Sequence, residues 1–290
     1  MGEEAKVYLN YDQEELDRNY DQRAWAPNAD ETIARWITGS AAARSSLRHR
    51  ANLAYGSTED ERLDIFPAAR AGAPILVFIH GGAWRSLSKE DSCYAAPAFV
   101  AAGVNFVALN FANIPKVRLP DMVAQVRRGV AWVYRNAREL GGDPNRLYVA
   151  GHSSGGHLAA SVLVTDWRTH RLPNTIVKGG LCISGMYDLE PVILSARSSY
   201  VKLSKQEEME LSPARHLYAL SCPVAIAYGE KKTHEFQRQG RDFAQMLKSI
   251  GQLYDLVVLG GLNHFEVGSA LGAPESHLFS LCRRFMDLNL

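Results

Sequence analysis

Short, nearly continuous apolar runs alternate along this chain with longer stretches in which apolar residues return every three or four positions. The runs at residues 51–55, 62–65, 75–79, 105–110, 146–150, 177–183, 224–228 and 254–258 read as strands. Helical spacing is clearest over residues 119–139, where Val123, Val126, Val130, Val133 and Tyr134 form one face and Arg127, Arg128, Arg135 and Arg138 can meet water. Further helices are expected at residues 92–102, from Gly155 onward, and at 189–201, 235–249 and 275–286. Strands and helices alternating at this spacing predict an α/β fold, a mostly parallel central sheet with helices on both faces.

The first 48 residues break the rhythm. They mix acidic, aromatic and alanine-rich pieces, with a helical turn pattern at residues 31–37 that could lie against the body or over the mouth of a site. The expected division is therefore an N-terminal helical extension, 1–48, packed on one catalytic domain, 49–290, with a small cap inserted at 187–220. At 290 residues the chain can bury one extensive core but leaves no length for a second complete domain.

Charge narrows the function classes. With 32 Lys and Arg against 31 Asp and Glu, no broad field favours nucleic acid or an anionic membrane. Cys93, Cys182, Cys222 and Cys282 stand far apart, without CxxC or zinc spacing, so core thiols are expected and no metal or other cofactor is implied. Residues 1–6 lack the basic start and apolar stretch of a secretory leader, and no run has membrane-spanning length; the expectation is cytoplasmic. The expected partner is a small molecule, and a homodimer is left open.

The chemistry lies where strands end. Gly151-His152-Ser153-Ser154-Gly155 follows the run ending at Ala150, placing Ser153 on a strand-to-helix corner that exposes its hydroxyl. Upstream, His80-Gly81-Gly82-Ala83-Trp84 follows another strand and offers Gly82 and Ala83 amides, opposite that of Ser154, to a developing oxyanion. His264, in Gly261-Leu262-Asn263-His264, comes late in the chain on an expected loop, where a general base for Ser153 belongs. His152 and His157 read as structural. For the acid that orients His264, Glu230 on the loop after residues 224–228 is the first choice; Asp188 is a second, and Glu235 looks like the first turn of the next helix. Trp84, Phe111, Tyr187 and Phe265, near strand ends, are candidates to line an apolar or aromatic pocket. Together these features predict a serine hydrolase that forms an acyl-enzyme from a small ester or aryl N-formyl amide. The competing reading is a non-catalytic small-molecule binder on the same fold.

From Ala51 to the C-terminus the chain resembles the arylformamidase-like esterase and amidase branch of the α/β-hydrolases, which includes kynurenine formamidases. The resemblance rests on His80-Gly81-Gly82-Ala83-Trp84, Gly151-His152-Ser153-Ser154-Gly155-Gly156-His157, the stretch Ser184 to Pro191, Glu235-Phe236-Gln237-Arg238-Gln239 and Asn263-His264-Phe265, with a weaker match at Tyr20-Asp21-Gln22-Arg23. It implies nucleophile and base roles for Ser153 and His264. It also implies an acid at the position that holds Lys232, and an ammonium cannot accept the imidazole N–H as a carboxylate does.

Overall fold

The computed structural model describes residues 5–288; residues 1–4, part of the stretch read for a leader, and 289–290 lie outside it. Eight strands form one sheet: β1 (Arg50–Ala54), β2 (Arg62–Phe66), β3 (Ala73–Ile79), β4 (Asn105–Leu109), β5 (Gly142–His152), β6 (Gly179–Ile183), β7 (Val224–Gly229) and β8 (Leu253–Leu259). Their order is β1-β2-β4-β3-β5-β6-β7-β8; β2 runs antiparallel to β1 and β4, and all remaining pairs are parallel.

β3, β4 and β6 are buried along their whole length, as their near-continuous apolar runs require when helices cover both faces. One face packs Val77, Val149 and Ile226 against Val123, Val126 and Val130 of α4 (Leu119–Asn136). The other packs Phe78, Phe106 and Ile183 against Phe99 and Leu281. Pro120 in the first turn of α4 costs no internal hydrogen bond there.

The N-terminal region forms two helices, α1 (Gln13–Tyr20) and α2 (Ala29–Ser46), so the expected turn at 31–37 is the middle of a much longer element. An Asp12 capping box starts α1. The pair is tied to the body by buried polar contacts: Trp36 Nε1 donates to Ser269 Oγ at 2.8 Å and Gln22 Nε2 to Thr233 Oγ1 at 3.1 Å. Beneath α2, Asp64 is fully buried and pairs with Lys89 Nζ at 3.0 Å and with Arg44.

The single helix expected at 189–201 is instead one short helix, α6 (Glu190–Leu194), followed by a 3₁₀ turn at Ala196–Ser199; α7 (Lys205–Leu211) lies beyond that span. Ser195 ends α6 in extended backbone, and Ser204 starts α7 with its own capping box. Helix α3 (Ala96–Ala101) is shorter than expected because Pro97 sits in its first turn and Gly103 follows at positive φ. The other helices are α5 (Ser154–Leu163), α8 (His234–Ser249), α9 (His264–Ala270) and α10 (His277–Phe285). The C-terminal ends of β3, β5, β6, β7 and β8 all open toward one edge, where α/β sheets collect their ligand-binding loops.

Candidate active site

Ser153 stands where β5 becomes α5. Its backbone has φ 58° and ψ −123°, a conformation costing about 1–3 kcal/mol that persists only when neighbours impose it. They do: Ser153 N–H donates to Ile183 O at 2.8 Å, while Gly156 and His157 N–H donate back to Ser153 O. The corner also needs Gly155, since a Cβ there would lie 2.1 Å from Ile79 O and 2.4 Å from His80 O.

Ser153 Oγ and His264 Nε2 lie 2.9 Å apart, both side chains buried. For Nε2 to accept the serine proton, the imidazole hydrogen must be on Nδ1. His264 is the first residue of α9, not part of a loop as its glycine-rich approach suggested; Asn263 caps the helix by accepting from Phe265 and Glu266 N–H. His152 Nε2 donates to His264 O at 2.9 Å, so this histidine beside the elbow holds the backbone of the other. Burial drives the His264 imidazole well below its usual range, and Lys232, His152 and the Arg197 guanidinium act in the same direction.

The loop opposite Ser153 is held in left-handed backbone at Gly82 (φ 105°), Ala83 (φ 54°) and Trp84 (φ 61°). His80 stacks on Phe111 with ring centroids 4.2 Å apart and donates from Nδ1 to Gly81 O at 2.8 Å. Trp84 N–H donates to Ser154 Oγ at 3.1 Å, joining this loop to the elbow. Nearby backbone donors are used elsewhere, Arg85 and Ser86 on Gly82 O, which leaves the N–H groups of Gly82, Ala83 and Ser154 without a protein acceptor among the described residues.

None of the three carboxylates considered for orienting His264 is hydrogen-bonded to it in this structure. Glu230 accepts from Gly261 N–H at 2.8 Å and bridges two loop turns. Asp188 accepts from Arg215 at 3.1 Å, and Glu235 is engaged by Arg238 at 2.7 Å. His264 Nδ1 is buried with no hydrogen-bond partner. On the loop after β7 the buried side chain is instead Lys232, its Nζ 3.4 Å from Ser184 O and 4.4 Å from the Phe236 ring centre. Burial and the Arg197 charge push the Lys232 ammonium well below its ordinary range.

A cavity of about 620 Å³ opens onto Ser153 and His264, large enough for a drug-sized molecule. Of the four expected lining residues, Phe265 reaches it. Trp84 is packed edge-on to His157, Phe111 is stacked on His80, and Tyr187 is stacked on Phe243 with its hydroxyl donating to Cys182 O; all three are core residues. The aromatic wall comes from Tyr20, Trp36 and Tyr200; Asp17, Asp21 and Arg23, the last paired with Asp30, also line the cavity, and Arg85 and Arg197 are its remaining cations. Neither arginine has a carboxylate within ion-pairing distance among the described residues; Arg197 donates to Tyr20 O at 2.8 Å and lies over the Tyr20, Trp84 and Phe236 rings. Residues 17–36 and 196–200 supply much of this wall, which the sequence had marked only by a helical spacing over 31–37, a weak match at residues 20–23 and an expected helix at 189–201.

A parallel sheet with a serine on its strand-to-helix corner, a late histidine in contact with it and free amides opposite defines a hydrolase of the α/β-hydrolase fold. The BD-FAE family model matches residues 63–178. Kynurenine formamidase from Danio rerio is 32% identical over 88% of this chain and 89% of its own length, and that from Salmo salar is 31% identical over 96% and 98%. The chain belongs to the kynurenine formamidase-like family of α/β-hydrolases. Among solved structures, a provisionally assigned thioesterase from Silicibacter sp. TM1040 superposes with TM-score 0.81 at 26% identity, over 91% of this chain and 97% of that one. An esterase from Pyrobaculum calidifontis gives 0.72 at 20% identity, over 96% and 98%, and shares the fold.

Proposed function

We propose that this hydrolase cleaves small aryl N-formyl amides, and small carboxylic esters of similar shape, by acylation and deacylation of Ser153. The 2.9 Å contact between Ser153 Oγ and His264 Nε2 carries the reading. Ser153 Oγ attacks the formyl carbon as its proton passes to His264 Nε2, and Gly82, Ala83 and Ser154 N–H receive the negative charge that develops on oxygen. His264 then hands the proton to the departing arylamine nitrogen. Water, deprotonated in turn by His264, releases formate and restores the serine.

Support for an aryl substrate comes from Trp36, Tyr20 and Phe265 around the cavity, and support for a negatively charged substituent from Arg197 and Arg85. The free, buried state of all four cysteines supports a reducing, cytoplasmic setting. A second reading, a non-catalytic binder, draws on the unpartnered His264 Nδ1. A serine-reactive phosphonate separates the two: we expect covalent labelling that is lost in Ser153→Ala, and absence of labelling beside a reactive control hydrolase would refute the enzyme. Rates on N-formyl-kynurenine and on short p-nitrophenyl esters then rank formamide against ester.

A further inference from the structure

Lys232 Nζ lies 4.4 Å from the Phe236 ring centre, the His264 ring packs 5.3 Å from that same ring, and the buried hydrogen bonding on this side of His264 does not close. His264 Nδ1 must carry a proton if Nε2 accepts from Ser153, yet it finds no acceptor. Ser184 Oγ, on the turn after β6, is also buried and unpartnered. Lys232 is 3% exposed, has no carboxylate partner among the described residues and, besides lying over the Phe236 ring, makes one long hydrogen-bond contact, Nζ to Ser184 O at 3.4 Å. Two orphan donors and an uncompensated amine in one desolvated space would each be costly, and an anion bonded to the amine would satisfy all three.

We propose that Lys232 is a carbamylation site: its amine takes up carbon dioxide, and the resulting carboxylate is the acceptor that orients His264. The inference rests on the hydrolase reading above for its consequence, though not for the modification itself. The Nζ lone pair forms a C–N bond to carbon dioxide, one C–O π pair becomes the carboxylate, and an Nζ proton leaves to solvent. The nucleophile must be the neutral amine, which burial and the nearby Arg197 charge favour over ammonium. The new group extends the side chain by about 2 Å, the length gained through one C–N and one C–O bond. The bare amine falls short of hydrogen-bond reach to Nδ1. In the product the carbamate N–H keeps the Ser184 carbonyl, while its oxygens can accept from His264 Nδ1–H and Ser184 Oγ–H. The Arg197 guanidinium favours the anion for the same reason that it disfavours an ammonium.

The test uses the full-length protein with ¹³C-bicarbonate as probe. We expect a carbamate carbonyl resonance in the wild type and in Ser153→Ala, absent from Lys232→Met, which keeps the volume of the side chain. Removing dissolved carbon dioxide should lower kcat on a short ester on the order of 10³-fold, the scale on which triads lose rate without their acid, and restoring it should recover the rate. The acid limb of kcat/KM should move to higher pH with carbon dioxide, since an anion beside His264 favours its protonated form. Lys232→Asp should hydrolyse without any carbon dioxide response. Hydrolysis by the wild type with no labelled resonance and no carbon dioxide response overturns the proposal. A resonance without hydrolysis would instead overturn the proposed function and leave the carbamate standing.

Discussion

Lowering the pH from about 7.5 to about 5.5 should destabilise this protein through its buried imidazoles. His80, His152 and His157 are fully buried as neutral rings, and burial pushes them down to about 4, about 3 and about 4. Each donates one ring N–H to a backbone carbonyl, of Gly81, His264 and Leu211 respectively. His80 Nε2 and His157 Nδ1 have no partner, so a second proton there would be a buried charge facing no acceptor. The unfolded chain binds protons near the ordinary imidazole value of about 6.5, so stability is full above that pH and is lost as pH falls toward the folded-state values. At about pH 5.5 each ring withholds about 1.4 kcal/mol, and the three together on the order of 4 kcal/mol. His264 acts in the same direction. Carboxylates whose affinity for protons folding reduces, such as Glu207 at about 2, titrate below this window. Urea unfolding at the two pH values measures the loss, to which buried Lys232 also adds, and His157→Gln, which keeps a donor toward Leu211 O, should remove about 1.4 kcal/mol of it. Reversible curves with equal midpoints at both pH values would refute the assignment of these rings as neutral.

Gly155→Ala forces a methyl group more than an ångström inside ordinary contact with Ile79 O; a displacement of that size at the elbow should cost about 10²-fold in kcat and about 1–3 kcal/mol of stability, checked by steady-state kinetics and thermal unfolding. Gly72→Ala, at φ +70° with open space around it, is the control: about 1 kcal/mol of backbone strain and unchanged kcat. Asp64→Ala leaves buried Lys89 without its buried counter-ion, and equilibrium unfolding should show a loss of about 3–5 kcal/mol. Arg197→Met should raise KM for an aryl formamide carrying a carboxylate by about 10- to 100-fold, the worth of a charge-assisted hydrogen bond, while KM for a neutral ester stays near wild type.

The strands were legible because burial on both faces leaves an unbroken apolar run, as in β3 and β4. Ser153, His264 and the loop at Gly82 were legible because a sharp corner and an amide cradle restrict residue type locally. What the sequence hid depends on contacts between distant segments. Trp84, Phe111 and Tyr187 looked available at strand ends, but each met a second ring, from His157, His80 and Phe243, that folding brought from elsewhere in the chain. Arg197 lies in a region whose periodicity suggested one continuous helix, and the break at Ser195 turns it toward the cavity. Glu230 was the nearest carboxylate in sequence to the expected position, yet the turn at Gly261 offered its side chain a closer donor than the imidazole.

The charges around His264 link substrate choice to the state of Lys232. During acylation the imidazole gains a proton in a desolvated space that already feels Arg197 and Lys232. Each like charge felt there raises the free energy of the imidazolium and so slows the step that forms it. The same cations favour the oxyanion at Gly82, Ala83 and Ser154, so they ease one half of the transition state and penalise the other. Neutral Lys232 removes one penalty; a carboxylate on it replaces repulsion of the imidazolium with attraction. An anionic substituent resting on Arg197 offsets the other cation at the moment His264 must charge. A substrate with such a substituent is therefore expected to gain in kcat as well as in KM, because the group that binds it also decides how readily the base accepts its proton.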